Sequence, residues 1–310
     1  MSDVKSNAAD IFWYWAARGT LGPLSLLPLP FAMRIGEMLG RRFYRWDARH
    51  RRIGMINLAL AFPEESDDWR ARVLEKSYAQ IGGHIALVSR LHRITADEIR
   101  RRVTYEEGFG VEHYRRARQV HSAVLFVTAH FGVWELLPLA HAVLEHPLSV
   151  VVRPLENQRL DRWLSGNRTR FGNRVIPKWG SLREILRALH RGGDVGLLID
   201  QNVQEKDGVY VSLFGHPACT TASAALLAMK TGAAVVPGFI LPTASRGRYR
   251  IRFYPPVQVE SSGNRSDDVL HNTARFNHFL ESVIREYPHC WLWGHRRFKT
   301  QPDGRDIYGI

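Results

Sequence analysis

Lysine, cysteine and export signals are scarce or missing in this 310-residue sequence. Of its 43 basic residues six are lysine and 37 are arginine. The two cysteines, Cys219 and Cys290, lie far apart and form no Cys-x-x-Cys pair. A disulfide scaffold is therefore excluded, and two buried or idle thiols in a reducing compartment are expected. We expect no cleavable signal peptide, because the first ten residues have mixed charge and no small-residue cleavage site follows an apolar core.

Several common catalytic signatures are also absent. The sequence contains no Gly-x-Ser-x-Gly elbow, no His-Glu-x-x-His zinc motif and no Gly-x4-Gly-Lys-Ser/Thr phosphate loop. The pair Gly108 and Gly110 lacks the third glycine of a dinucleotide-binding turn. The 14 histidines show no metal-ligand spacing, and His271 and His278 fit one solvated helix face. We therefore expect neither a metal nor a cofactor.

The longest uncharged run of the N-terminal region, residues 19–33, contains three prolines. As a helix it would span only about 22 Å, too short for a hydrocarbon core of about 30 Å. Clustered aromatic residues precede this run, and an arginine-rich stretch with interleaved aromatic residues follows it at positions 41–52. This combination is typical of attachment to an anionic leaflet. We predict a membrane-associating, helical segment at residues 1–35, with a buried hairpin or a single span as alternatives.

The charge balance predicts an anionic partner. The excess of Lys and Arg over Asp and Glu gives a formal net charge of +13. Nucleic acid, a phospholipid surface, a phosphorylated substrate and an acidic protein all fit such an excess. Because arginine is spread over most of the chain instead of following one helix, we do not expect nucleic acid. The aromatic and basic cluster at residues 43–46 keeps that alternative open.

Helices and strands alternate over residues 36–310, which we predict to form a single α/β domain. Four apolar runs rich in β-branched residues are predicted strands: 123–127, 148–152, 195–199 and 234–240. Continuous apolar strands separated by helices indicate a mostly parallel or mixed central sheet flanked by helices. Ser66 (or Asp67) and Thr95 are predicted helix N-caps. Residues 249–254 are predicted to form an edge strand, and residues 300–310 a loose tail.

The most informative segment follows the first of these strands. The strand runs into His130, Gly132 permits a tight turn, and a helix predicted over residues 134–144 carries Glu135 in its first turn. Catalytic sites in open α/β sheets gather at the carboxyl ends of strands. With the turn between them, Glu135 can accept a hydrogen bond from one imidazole nitrogen and leave the other as a general base. A purely structural histidine is the alternative.

The sequence Thr-Ala-His130-Phe-Gly-Val-Trp-Glu135 resembles the His-x4-Asp/Glu motif of glycerolipid-type acyltransferases. More narrowly, the chain resembles the lipid A late acyltransferases, the lauroyl/myristoyl acyltransferase family, over nearly its whole length. The blocks that carry this resemblance are NLALAFPE at 57–64, TAHFGVWE at 128–135, VRPLEN at 152–157, IPK at 176–178, DQ at 200–201, LFG at 213–215 and WLWGHRRFK at 291–299.

This resemblance implies an enzyme that transfers a fatty acyl chain from acyl carrier protein to a hydroxyl of a glucosamine-based phospholipid, a lipid A precursor. It places the protein at the cytoplasmic face of the inner membrane, held monotopically or by one N-terminal anchor on an anionic surface. In this chain His130 would be the general base and Glu135 its orienting partner, with no covalent enzyme intermediate. General-base assistance contributes roughly 10²–10⁴-fold, so positioning and oxyanion stabilisation must supply the rest.

The residues expected to bind substrate are Arg153, Asp200, Gln201, His295, Arg296 and Arg297. Arg153 suits a phosphate or oxyanion contact because its guanidinium can bind two oxygens at once. The structural alternatives are a surface ion pair for Arg153, a turn-stabilising role for Asp200 and a solvated basic tail for residues 295–297. Val133 stands where family members often carry Asn, which leaves the acceptor open. Phosphatidylinositol mannoside-like or amino-acid lipids are the alternative acceptors, and coenzyme A is the alternative acyl donor. An inactive membrane scaffold is the alternative to an enzyme.

Overall fold

The computed structural model describes residues 8–309. Residues 1–7 of the predicted membrane-associating segment, and Ile310, lie outside the described residues. The α-helices are α1 (Ala8–Leu26), α2 (Leu29–Trp46), α3 (Ala48–Ala61), α4 (Asp67–Arg90), α5 (Ala96–Arg102), α6 (Val111–Val120), α7 (Leu137–Leu144), α8 (Gln158–Arg168), α9 (Leu182–His190), α10 (Ser223–Thr231) and α11 (Arg265–Glu286). The strands are β1 (Val103–Tyr105), β2 (Val124–Thr128), β3 (Ser149–Val152), β4 (Arg174–Pro177), β5 (Val195–Leu198), β6 (Gly208–Leu213), β7 (His216–Thr221), β8 (Ala234–Pro242) and β9 (Tyr249–Phe253).

Seven strands form the central sheet, in the order β1-β9-β8-β2-β5-β3-β4, and β6 and β7 form a separate antiparallel hairpin. The β8–β9 pair is antiparallel, whereas the other neighbours in the seven-stranded sheet pair in parallel. The prediction of a mostly parallel or mixed sheet flanked by helices is confirmed. The predicted edge position of residues 249–254 is wrong, because the short strand β1 pairs with β9 on its outer side.

Both faces of the sheet are covered, which explains the continuous apolar strands. Successive residues of a strand point to opposite faces. Phe126 of β2 packs with α7 on one face, whereas Leu125 and Val127 pack with α9 and α10 on the other. A third cluster joins α3, α4 and α11 to the C-terminal segment around Trp291 and Trp293. This cluster lies next to the carboxyl end of β2, where Phe131 pairs with Trp291.

Prolines divide the N-terminal region into two helices. Pro23 lies inside α1, and Pro28 has extended backbone angles between α1 and α2, which ends one helix before the next begins. The uncharged run at residues 19–33 is therefore shared by two helices. Within residues 8–309, every helix is too short or too polar to cross a bilayer. Helix α2 packs along α4 and runs through the predicted boundary at residues 35 and 36.

Several local predictions are confirmed by hydrogen bonds and burial. The Ser66 hydroxyl accepts from the backbone N–H of Trp69 at the start of α4. Thr95 accepts in the same way from Glu98 at the start of α5. Both cysteines are free, buried thiols.

Two other local predictions are wrong. Helix α7 begins at Leu137 instead of residue 134, because the chain turns from Gly132 onwards before it becomes helical. The C-terminal segment is packed and not loose. Tyr308 is buried, and its hydroxyl donates to the Asn57 side chain at 2.7 Å and accepts from the Phe298 N–H at 3.0 Å.

Candidate active site

The site lies at the carboxyl ends of two neighbouring parallel strands. In the register of β2 and β5, Thr128 lies opposite Leu198. His130 comes two residues after Thr128, and Asp200 comes two residues after Leu198. The topology therefore brings both side chains to one edge of the sheet, where ligands bind in open α/β folds.

Asp200 is the hydrogen-bond partner of the His130 side chain. One carboxylate oxygen accepts from His130 Nδ1 at 2.9 Å. The other accepts from the His130 backbone N–H at 3.0 Å and from the Trp291 indole at 2.9 Å. Burial alone would raise the pKa of Asp200, but the imidazole charge and these hydrogen bonds lower it to about 2. Asp200 is therefore an anion at neutral pH.

The Asp200 carboxylate fixes the tautomer of His130. Because an ionised carboxylate can only accept, Nδ1 carries the proton and Nε2 keeps its lone pair. The Gln201 amide nitrogen lies 3.5 Å from Nε2. Burial disfavours a charged imidazole, but the charge and hydrogen bond of Asp200, helped by the Glu135 charge, raise the pKa of His130 above its usual value. The pair can accept a proton from a hydroxyl and stabilise the imidazolium that results.

Glu135 does not form the predicted hydrogen bond with His130. Its carboxylate forms a two-pronged ion pair with Arg168 at the end of α8, with N···O distances of 2.9 and 2.5 Å. Glu135 lies in the turn before α7 and contacts Arg168 of α8. The imidazole Nδ1 donates to Asp200 instead, so the predicted pairing of His130 with Glu135 is wrong. Burial would raise the pKa of Glu135, but the hydrogen bonds and charge of Arg168 lower it.

Arg168 is a site residue that the sequence analysis missed. It is one of 37 arginines, and no spacing rule links it to Glu135, which lies 33 positions earlier. The available signal was chemical, because a buried carboxylate requires a cation. That requirement predicts a basic partner but does not select one.

Gly132 makes the turn between the strand and Glu135 possible. Its φ is +61°, and a Cβ atom at this position would lie 2.0 Å from the carbonyl oxygen of Ile240 in β8. Its N–H donates to the Cys290 carbonyl at 2.9 Å, and the Leu292 N–H donates to the His130 carbonyl at 3.2 Å. The turn is therefore held between β8 and the C-terminal segment.

An apolar cavity adjoins the Glu135–Arg168 pair. Alternate residues of β2, β3 and β5 line it on the sheet side, and α7 covers it. Leu148, Val150 and Val152 face it from the β3 side, a run of about 13 Å at roughly 3.3 Å per residue. The lining is thus apolar beside a polar pair, as the site of a hydrocarbon chain would be.

The other predicted binding residues have different surroundings. Arg153 is exposed, and its guanidinium lies 5.3 Å from the centre of the Trp179 ring. Arg297 is fully buried and donates to the Cys219 carbonyl and the Thr220 hydroxyl in β7. Burial lowers the pKa of Arg297 to about 10. The prediction that Arg297 binds a lipid headgroup is wrong, because its guanidinium is enclosed and bonded within the core.

His295 and Arg296 lie in the segment between the site and the C-terminal tail. The Asn57 amide donates to the His295 carbonyl at 2.8 Å, and burial lowers the pKa of the His295 imidazole to about 4. The Arg296 guanidinium lies 6.0 Å from the centre of the Tyr308 ring. Over residues 8–309, the His, Cys, Asp and Glu side chains form no group of three or more that could hold a metal ion.

Comparison with known proteins gives consistent matches along the chain. The family model for bacterial lipid A biosynthesis acyltransferases matches residues 3–300. A lipid A biosynthesis lauroyltransferase of Escherichia coli (strain K12) is 29% identical, covering 94% of each chain. The palmitoleoyltransferase of the same organism is 26% identical over 94% of this chain and 93% of its own. The lipid A biosynthesis myristoyltransferase of the same organism is 24% identical over 99% of this chain and 95% of its own.

Proposed function

Because the chain belongs to the bacterial lipid A biosynthesis acyltransferase family, and is therefore an acyltransferase, we propose that it moves a fatty acyl chain from acyl carrier protein to a hydroxyl of a lipid A precursor. The observation that carries the mechanism is the His130–Asp200 hydrogen bond, which leaves His130 Nε2 unprotonated and able to act as the base. The +13 net charge suits an acidic carrier protein and a phosphorylated acceptor.

In the proposed reaction, His130 Nε2 removes the proton from the acceptor hydroxyl as its oxygen attacks the thioester carbonyl. The carbon–sulfur bond breaks, and the departing sulfur takes the proton back from the imidazolium. An ester and a thiol result, with no covalent enzyme intermediate. Asp200 stabilises the transient imidazolium, and the more distant Glu135 charge also favours it.

The apolar cavity beside Glu135 and Arg168 is our candidate for the donor acyl chain. With the chain in the cavity, its thioester would lie at the Glu135–Arg168 pair near His130. Glu135 holds the Arg168 guanidinium in place, and that cation suits the developing oxyanion. The three relatives are named for three different acyl chains, yet each is about equally identical to this sequence. Overall identity therefore does not indicate which chain is used, and we propose that the shape of the cavity selects its length.

We further propose that the protein works at the cytoplasmic face of the inner membrane. Large apolar side chains of α1 and α2 are exposed, including Phe12, Trp13, Trp15, Phe31 and Trp46. Such residues favour the interface between headgroups and acyl chains. The mode of attachment that fits these two helices is monotopic, with both lying along the surface.

The test is to supply purified protein with a Kdo-modified lipid A precursor and a panel of acyl carrier protein thioesters, with the matching coenzyme A thioesters in parallel. Mass spectrometry of the lipid is expected to show one added acyl ester from the carrier protein. Absence of product with every donor would contradict the proposal. If a phosphatidylinositol mannoside, supplied as a second acceptor, is acylated instead, it replaces the lipid A precursor as the proposed acceptor.

A further inference from the structure

A second apolar space lies in the helical layer, and we call it the α2–α4 groove. It lies between α1, α2, α4 and the segment at residues 292–295. Its walls include Leu39 and Phe43 of α2, Ile81 and Ile85 of α4, and Leu24 of α1. The groove shares no lining residue with the cavity beside Glu135.

Two residues that line the groove, Leu292 and His295, lie close to His130. The Leu292 N–H donates to the His130 carbonyl at 3.2 Å. His295 lies near enough to Asp200 and His130 for their charges to change its pKa. Helix α4 contacts the surroundings of both spaces, because the His84 ring packs on Trp134, which lines the cavity, while Ile81 and Ile85 line the groove.

The outer edge of the groove carries exposed apolar side chains. Leu39, Phe43 and Ile85 line the groove and are 52%, 54% and 45% exposed. Met38 lies beside them on α2 and is also 52% exposed, but it does not line the groove. Soluble surfaces rarely leave such contiguous apolar residues uncovered, so this edge fits contact with a lipid chain.

Helices α2 and α3, which supply part of the groove lining, also carry exposed arginines. Arg41, Arg42, Arg45 and Arg49 are exposed and form no ion pair with the acidic residues that the structure describes. Asp47, the acidic residue that lines the groove, is hydrogen-bonded to His50 and Tyr78. An apolar groove between helices that also carry exposed arginines is complementary to a lipid that has a phosphorylated head.

We propose that the α2–α4 groove holds an acyl chain of the acceptor lipid, with the phosphorylated headgroup against the arginines of α2 and α3. The assignment rests on the proposed function, because it needs a lipid acceptor and a separate acyl donor. The two chains then approach His130 from different sides, the donor through the cavity and the acceptor through the groove. The acceptor enters sideways from the surface on which α2 lies, without leaving the lipid phase.

The first test narrows the groove with Leu39→Trp and compares it with Met38→Trp. Both positions are equally exposed, so the two variants add the same indole to the same helix. Leu39→Trp is expected to raise KM for the lipid A precursor by about tenfold and to leave KM for the acyl donor unchanged. Met38→Trp is expected to leave both unchanged. A Leu39→Trp variant with normal acceptor KM, or with a raised donor KM, would overturn the assignment.

The second test locates the acceptor chain directly. A lipid A precursor with a photoreactive diazirine in one acyl chain is irradiated with the wild-type protein, and the labelled peptides are sequenced. Label is expected in α2 or α4. Label in β3 or α7, which line the cavity, would contradict the proposal. If the precursor labels the groove but is not acylated, the groove assignment stands and the proposed reaction fails, so the two failures are distinguishable.

Discussion

Two buried carboxylates lie near His130, and their hydrogen bonds give them different roles. Asp200 accepts three hydrogen bonds, two of them from His130 itself. It therefore orients the imidazole ring, and its negative charge favours the imidazolium form. Glu135 forms an ion pair with Arg168. It forms no hydrogen bond with His130 and affects the imidazole through its negative charge alone. The residue that sets the tautomer is therefore Asp200, and the His-x4-Glu spacing brings the second carboxylate to the mouth of the cavity.

Replacing Asp200 by Asn is expected to reduce kcat by about 10²- to 10⁴-fold, because the neutral amide no longer fixes the tautomer or stabilises the imidazolium. The pH profile is also expected to move. His130 acts only when neutral, so kcat/KM falls as pH drops through its pKa, which Asp200 raises above the usual value. In Asp200→Asn the acidic limb of kcat/KM is expected at lower pH than in wild type.

The matched control is Asp194→Asn, another buried aspartate, which accepts from the Tyr114 hydroxyl before β5 begins. It should lower the stability without moving the acidic limb. An unchanged limb in Asp200→Asn would show that a different group controls the rate.

The sequence predicted individual site residues better than their pairings. His130 and Asp200 could be selected because they follow buried strands, and Glu135 because it follows a turn. Their partners depend on which strands are neighbours and on the path of α8, and neither is encoded locally. Arg297 shows the opposite error, since a basic run near the chain end suggested solvent exposure, while the fold encloses that guanidinium beside β7.

At the scale of elements, the connection from β2 to α7 determines the site geometry. Gly132 adopts a left-handed conformation with no room for a Cβ atom, and its neighbours are bonded to the 290–292 segment. This connection sets the positions of His130 and Glu135 relative to each other. The site therefore depends on close backbone packing at Gly132.

Gly132→Ala is expected to destabilise the protein by about 2–4 kcal/mol, from the left-handed backbone and the contact with Ile240. Denaturant unfolding measures the loss. Gly166→Ala in α8 is the control, because a Cβ there has no atom within 4 Å. It is expected to be neutral or to stabilise by up to about 1 kcal/mol. Equal stabilities of Gly132→Ala and wild type would disprove the tight packing.

The predicted strands are confirmed where apolar residues run without interruption, and the predictions are wrong where contacts with distant segments determine the structure. The four apolar runs are the strands β2, β3, β5 and β8, because strands buried on both faces need apolar residues throughout. The three-residue strand β1 is too short to be recognised, so β9 looked like an edge. The tail at 300–310 is polar in sequence, yet Asn57 and Phe298 bond the hydroxyl of Tyr308.

At the scale of the whole molecule, charge and apolar exposure coincide on the N-terminal helices. The net charge is +13, and α2 carries exposed aromatic residues next to exposed arginines. An apolar face anchors to the interface, while the arginines attract anionic headgroups, and the two contributions add. The same surface contains the outer edge of the α2–α4 groove.

Binding to vesicles that contain anionic phospholipid is expected to weaken as salt rises from about 0.1 M to about 1 M, because the Debye length falls from about 10 Å to about 3 Å. Arg41→Gln/Arg45→Gln is expected to weaken binding by about tenfold or more in co-sedimentation at low salt. Arg183→Gln/Arg187→Gln on α9 changes the net charge equally and serves as the control. If both double variants bind alike, total charge and not the α2 surface determines binding.

The most direct measurement is the steady-state rate of acyl transfer from acyl carrier protein to the lipid A precursor by His130→Ala. His278→Ala, which removes an exposed imidazole from α11, is the control, and circular dichroism checks the fold of both. The rate of His130→Ala is expected to fall by about 10²- to 10⁴-fold while His278→Ala retains the wild-type rate. A folded His130→Ala protein with the wild-type rate would contradict the assignment of His130 as the base.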